Sequence, residues 1–127
     1  MHPPLILVVE DESIIAQLMI DILVMEGYQT RWAATVEHAL HILEGAIPDL
    51  VILDIWLEAP DAGWLFLQAM RQDAHLATTP VLVCSADVFF IGDHLMALQA
   101  AHTDVLSKPF PIEALLTKVH VALDTSA

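Results

Sequence analysis

The chain has 127 residues, of which 57% are hydrophobic and 17% charged, so it is an apolar, folding-competent sequence the size of one domain and not a disordered one. Four basic residues face seventeen acidic ones, a formal charge of −13, and such a surface repels phosphate backbones; direct nucleic-acid binding is not expected. No apolar run approaches the ~20 residues that span a bilayer, so a membrane protein is not expected either. The opening Met1-His2-Pro3-Pro4 lacks a basic region followed by an apolar stretch, so no signal peptide is predicted. The single cysteine, Cys84, stands in an apolar run and reads as a buried, inert thiol, which with the acidity fits a cytoplasmic setting.

In chain order, the apolar run Leu5 to Val9 predicts a first strand, without polar alternation, as expected when both faces are covered. A helix follows, with Ile14, Ile15, Leu18, Met19, Ile22 and Met25 at three- and four-residue steps and a stop at Gly27. A weaker strand is predicted at Gln29 to Ala33, then a helix from about Val36 to Gly45 with Ala39, Leu40 and Leu43 on one face. A strand at Leu50 to Leu53 precedes a helix from about Gly63 to Gln72; a strand at Val81 to Cys84 precedes a helix within Val88 to Ala101. A short strand at Asp104 to Leu106 leads to a last helix that opens at Pro111 and buries Ile112, Leu115, Leu116, Val119 and Leu123. This βα alternation predicts one domain, 1–127, of α/β class: a doubly wound parallel sheet with helices on both faces. In such sheets chemistry sits at the carboxyl ends of the strands.

The residues at those ends form a pattern. Glu10 and Asp11 follow the first strand, Asp54 the third, Ser85 the fourth, and Lys108-Pro109 the fifth. Singly, each has an ordinary role: an Asp after a strand is commonly a helix N-cap, a Ser a turn residue, a Lys a solvated charge. Jointly they place three carboxylates, a hydroxyl and an ammonium on one rim. Clustered carboxylates raise a pKa or recruit a cation, and a few hard oxygens suit Mg2+. A lysine and a serine beside them suit phosphoryl oxygens, and a carboxylate can itself be the phosphoryl acceptor.

On the stretches Leu7-Val8-Val9-Glu10-Asp11-Glu12, Asp49 to Ile55, Val83-Cys84-Ser85-Ala86 and Leu106-Ser107-Lys108-Pro109-Phe110, the sequence resembles the receiver domain of two-component response regulators, of the single-domain chemotaxis type. The resemblance implies a five-stranded, flavodoxin-like (βα)5 fold with strand order 2-1-3-4-5. It implies Asp54 as phospho-acceptor, and Glu10, Asp11, Asp54 and the Trp56 backbone carbonyl as holders of Mg2+. It further implies Ser85 and Lys108 as partners of the phosphoryl group, a cis bond before Pro109, and Trp56 and Asp87 as the positions that flank the attacking water. The implied donor is a sensor histidine kinase or a histidine phosphotransfer protein. The implied output is a downstream protein or an output domain absent from this chain. Catalysis would be confined to self-directed phosphotransfer and autodephosphorylation.

Four departures from the family pattern stand out. The loop from Ile55 to Gly63 is one residue longer than usual, with Glu58 where proline is common. Val105 replaces the usual aromatic, Ala101-His102 replaces Gly-Ala, and Phe89 and Phe90 stand where a helix is predicted to begin. His38 and His41, His75, His94, His102 and His120 read as solvated, and Trp32 and Trp64 as packing. Two other functions compete. A Mg2+-dependent aspartyl phosphatase needs an acid two residues after its nucleophile, where this chain has Trp56. A receiver-like binding module that never takes phosphate would not need Asp11, Asp54, Ser85 and Lys108 together.

Overall fold

The computed structural model describes residues 2–55, 62–85 and 102–125. Five strands, β1 (Leu5–Val9), β2 (Gln29–Ala33), β3 (Leu50–Asp54), β4 (Val81–Ser85) and β5 (Thr103–Ser107), form one parallel sheet in the order β2-β1-β3-β4-β5. The described helices are α1 (Ser13–Met25), α2 (Val36–Gly45), α3 (Ala62–Gln72) and α4 (Ile112–Thr125). The helix expected within Val88 to Ala101, with Phe89 and Phe90, lies outside the described residues.

The two faces of the sheet explain the unbroken apolar runs. Leu7, Val9, Val51, Leu53, Val81 and Val83 point to one face and pack with Ala39 and Ile42 of α2 and Phe66, Leu67 and Met70 of α3. Ile6, Val8, Leu50, Ile52, Leu82 and Cys84 point to the other, against Met19 and Leu23 of α1 and Leu115 and Val119 of α4. Successive strand residues alternate between two dry layers, so neither parity can be polar.

The helices correct two expectations. On α1 the buried residues are Ala16, Met19 and Leu23, whereas Ile14, Leu18 and Met25 are 84%, 56% and 86% exposed. Its only polar residues, Ser13, Gln17 and Asp21, form one narrow stripe at four-residue steps, so apolar residues cover the rest of α1 and mark its rotation weakly; small Ala16 is fully buried. On α4, Leu115 and Val119 are buried but Ile112 is largely exposed, and the helix begins one residue after Pro111, whose carbonyl accepts from the Ala114 and Leu115 N–H groups. Gly27 ends α1 as expected: its φ of +94° turns the chain, and the Gly27 and Tyr28 N–H groups bond back to Val24 and Leu23.

The left-handed residue before β5 is His102, at φ +67°. Its carbonyl accepts from the Val81 N–H at 2.8 Å and from Arg71 Nη2 at 2.8 Å. Arg71, at the end of α3, also donates to Thr79 O at 2.8 Å and Thr103 Oγ1 at 2.9 Å, so one half-buried guanidinium ties α3, the entry to β4 and the entry to β5 together. Lost charged hydrogen bonds are costly, which holds His102 in a conformation its Cβ disfavours. His102→Gly is expected to raise the urea midpoint, with a gain of about 0.5–1 kcal/mol once glycine's extra unfolded-state freedom is set against the relief of strain. An unchanged or lower midpoint would show that the His102 side chain itself stabilises this turn.

Candidate functional site

The register of the sheet builds the site. β1 and β3 are neighbours, paired Val9 to Leu53, so Glu10 and Asp54 emerge side by side at the carboxyl edge. Glu10, Asp11 and Asp54 each present a carboxylate oxygen, and these oxygens lie within 4.8 Å of one another. This is the only such group of three metal-ligating side chains among the described residues, and His38 and His41, exposed on α2, gather no third ligand. The cap explanation for the aspartates does not hold. Glu12, not Asp11, is the N-cap of α1, and it makes no side-chain capping bond. Asp54 is the last residue of β3, buried, and α3 begins only at Ala62.

Lys108 closes the cluster. Its Nζ lies 3.4 Å from Glu10 Oε2 and 3.6 Å from Asp54 Oδ2. Its backbone N–H donates to Ser85 O at 2.8 Å, which joins the ends of β4 and β5, and the Ile55 N–H donates to Cys84 O at 3.2 Å, which joins β3 to β4. Ser85 is buried at the end of β4, which lies between β3 and β5. The Lys108–Pro109 peptide is cis. Gly63 seals the site from the α3 side: a Cβ there would lie 2.5 Å from Ile55 O and 2.8 Å from Asp54 O, so only glycine lets α3 approach the end of β3 this closely.

The electrostatics are those of an anionic pocket with a single cation. Burial raises the Glu10 carboxyl to about 7, and the Asp54 carboxylate adds to the rise while Lys108 opposes it. Burial works to lower the Lys108 ammonium's pKa, but the Asp54 and Glu10 carboxylates outweigh it and the net shift is upward, so lysine stays charged. Glu10 Oε1 is buried without a donor. A buried oxygen in that state, beside two further carboxylates, fits a hard divalent ion such as Mg2+, with Glu10, Asp11 and Asp54 as the side chains that would hold it. Trp56 and Asp87 lie outside the described residues.

Two neighbours were not legible as site residues. Gly63 carries its message in a close approach that the sequence does not show. Trp32, expected to pack, is half-buried against the α1 and α4 side of the core, and its Nε1–H donates to the Glu10 carbonyl at 2.8 Å. Val105 is half-buried against the opposite core layer. Cys84, pushed up to about 12 chiefly by burial, is an inert thiol as expected.

The Glu10 shift has a pH consequence. The folded state holds this proton more tightly than the unfolded chain, so the associated stability is complete below about 4.5 and is lost as pH rises through about 7. Without divalent cations, unfolding free energy should therefore fall by roughly 2–3 kcal/mol more in the parent than in Glu10→Gln between about pH 4.5 and about pH 8. Parallel pH profiles from urea unfolding would remove Glu10 as the source.

Comparison with known proteins places this geometry. The model of the response regulator receiver domain matches residues 6–120. The KDP operon transcriptional regulatory protein KdpE of Escherichia coli is 38% identical over 120 residues, covering 93% of this chain and 50% of that protein. A putative response regulator from Chloroflexus aurantiacus superposes with a TM-score of 0.84 at 30% identity, covering 96% of this chain and 98% of that one. The receiver domain of the sensor histidine kinase PA1611 of Pseudomonas aeruginosa, with a magnesium ion coordinated in its active site cleft, shares the fold at a TM-score of 0.82 and 24% identity, covering 96% and 98%. The chain spans about half the length of the curated relatives it matches. Among the described residues no helix is long and apolar enough to cross a membrane. With the fold, the strand order and the matched span in agreement, the chain belongs to the response regulator receiver domain family.

Proposed function

We propose that this chain is a phosphorylation-dependent signalling switch that accepts a phosphoryl group on Asp54 from a phosphohistidine donor. The observation that carries the reading is the convergence of Glu10, Asp11 and Asp54 with Lys108 across them. In this reading 1–127 act as one receiver domain, working in the cytoplasm. Bound Mg2+ supplies positive charge that offsets the three carboxylates and the phosphoryl oxygens.

An Asp54 carboxylate oxygen forms a bond to phosphorus as the donor's N–P bond breaks, and the electron pair leaves on the imidazole nitrogen. Glu10 and Asp11 would hold the cation. Lys108, already 3.6 Å from Asp54, turns its ammonium to a phosphoryl oxygen, and Ser85 donates its hydroxyl to another. Water then hydrolyses the acyl phosphate, along a path that Trp56 is proposed to obstruct and Asp87 to serve. The change of state is assigned to Ser85 and the segment that follows it to Phe90, because Val105 is short and stiff and lacks the reach of the usual aromatic.

The donor's docking place is read from the groove beside Lys108. Ile15, Leu18, Met19 and Ile22 of α1 face Phe110, Ile112 and Leu115 across a cavity of about 490 Å³ that reaches Lys108 and Pro109. A sensor histidine kinase or histidine phosphotransfer protein seated there would bring its histidine to the rim. The response is then passed to a downstream protein or an output domain.

Mass spectrometry after exposure to a small phosphodonor with Mg2+ is expected to show one added phosphoryl group in the parent and none in Asp54→Asn. No addition to the parent would favour a binding module that never takes phosphate. Leu18→Glu is expected to leave labelling by the small donor unchanged and to slow transfer from a phosphorylated histidine kinase by about tenfold or more, since a buried unpaired charge opposes docking. Equal transfer rates in the parent and Leu18→Glu would move the docking face elsewhere.

A further inference from the structure

We propose that Trp32 is a positioning residue for the cation site: its indole N–H fixes the peptide that links Glu10 to Asp11. The inference rests on the reading of Glu10, Asp11 and Asp54 as a Mg2+ site and deepens it.

The geometry starts in the sheet. β2 pairs with β1 in parallel, Trp32 beside Val8 and Ala33 beside Val9. The pairing continues one step past β1, where the Glu10 N–H donates to Ala33 O at 3.0 Å. Trp32 then reaches along the edge, and its Nε1–H donates to Glu10 O at 2.8 Å. Glu10 is thus held at both backbone groups by β2, once through the ladder and once through a side chain.

That carbonyl belongs to the Glu10–Asp11 peptide. The orientation of this plane sets ψ of Glu10 and φ of Asp11, and so the direction in which each carboxylate leaves the backbone. Glu10 is buried and its side chain is confined by its surroundings. Asp11 is exposed, so the set of its backbone counts for more in aiming its carboxylate at the other two. A half-buried indole is a donor without an acceptor function, and its ring is clamped against the α1 side of the core. It supplies one rigid hydrogen bond to a turn between two would-be ligands, the arrangement by which groups behind a metal site tune affinity. Phenylalanine would keep most of the ring packing and lose the donor, leaving the peptide free to rotate against water.

Mg2+ affinity is measured by calorimetry, which does not depend on tryptophan emission, in the parent, Trp32→Phe, Ile20→Ala and Asp11→Asn. Ile20 packs against the same core layer as Trp32, so its truncation loosens that layer without touching the hydrogen bond. Trp32→Phe is expected to bind Mg2+ about tenfold more weakly, while Ile20→Ala loses stability and keeps the parent's affinity. Replacement of Trp32 by benzothienylalanine, which keeps the bicyclic ring and removes only the N–H, is expected to match Trp32→Phe and covers the case in which phenylalanine packs poorly. Affinity in both Trp32 variants within about twofold of the parent, or an equal loss in Ile20→Ala, overturns the positioning role while leaving the cation site in place. A parent that binds no Mg2+, or binds it as well after Asp11→Asn, overturns the reading of the site and this inference with it.

Discussion

The site depends on one ammonium reaching two carboxylates that stand on strands other than its neighbour. Lys108 follows β5, while Asp54 ends β3 and Glu10 follows β1, two and three places along the sheet. Strands lie about 4.8 Å apart, so the Lys108 and Asp54 side chains together span about 10 Å across the end of β4. The residue at that crossing is Ser85, small and buried, and its carbonyl takes the Lys108 N–H. A large side chain at the end of β4 would block the route. The strand order, the small residue and the lysine are therefore one requirement, and the cis peptide after Lys108 lies directly beside them.

One cation does not balance three carboxylates, and the imbalance gives the pocket its chemistry. Lys108 touches Glu10 and Asp54 but stands at 3.4 and 3.6 Å, longer than a tight charged hydrogen bond. Glu10, buried and beside Asp54, holds its proton to about 7. A divalent ion bound there would compete with that proton for the same oxygens. Gly63 and Trp32 act at its edges. The first lets α3 close on the end of β3, and the second ties the Glu10 carbonyl to β2.

What was legible in the sequence follows from which features are local. The three inner strands could be placed because runs such as Leu5 to Val9 or Val81 to Cys84 are short and apolar at both parities, as strands of a sheet covered on both faces are. The strand-end residues then located the rim without any contact being known. The rotation of α1 was hard to read, because apolar residues surround all but the narrow polar stripe Ser13, Gln17 and Asp21, and Ala16, a buried residue, is the least conspicuous of them. Trp32 was read as packing for a related reason. Its part in the site comes from strand register, Trp32 beside Val8, and register between distant strands leaves no mark in either segment.

The distribution of the cations bears on partners. The four basic residues are Arg31, Arg71, Lys108 and Lys118. Arg71 is committed to the carbonyls around β4 and β5, Lys108 to the acidic pocket, and Lys118 to Asp104 at 3.0 Å. Arg31, on exposed edge strand β2, is the one left without such a commitment among the described residues. A surface so arranged gives an anionic partner almost nothing to hold, and in the proposed reading the phosphorylated donor would be anionic at the group it delivers. Attraction would then come from apolar area, which the structure exposes in the groove beside Lys108 at Leu18 and Ile112. Charge at the rim would then decide how the phosphoryl group is received, and the apolar flank of α1 would decide which donor brings it.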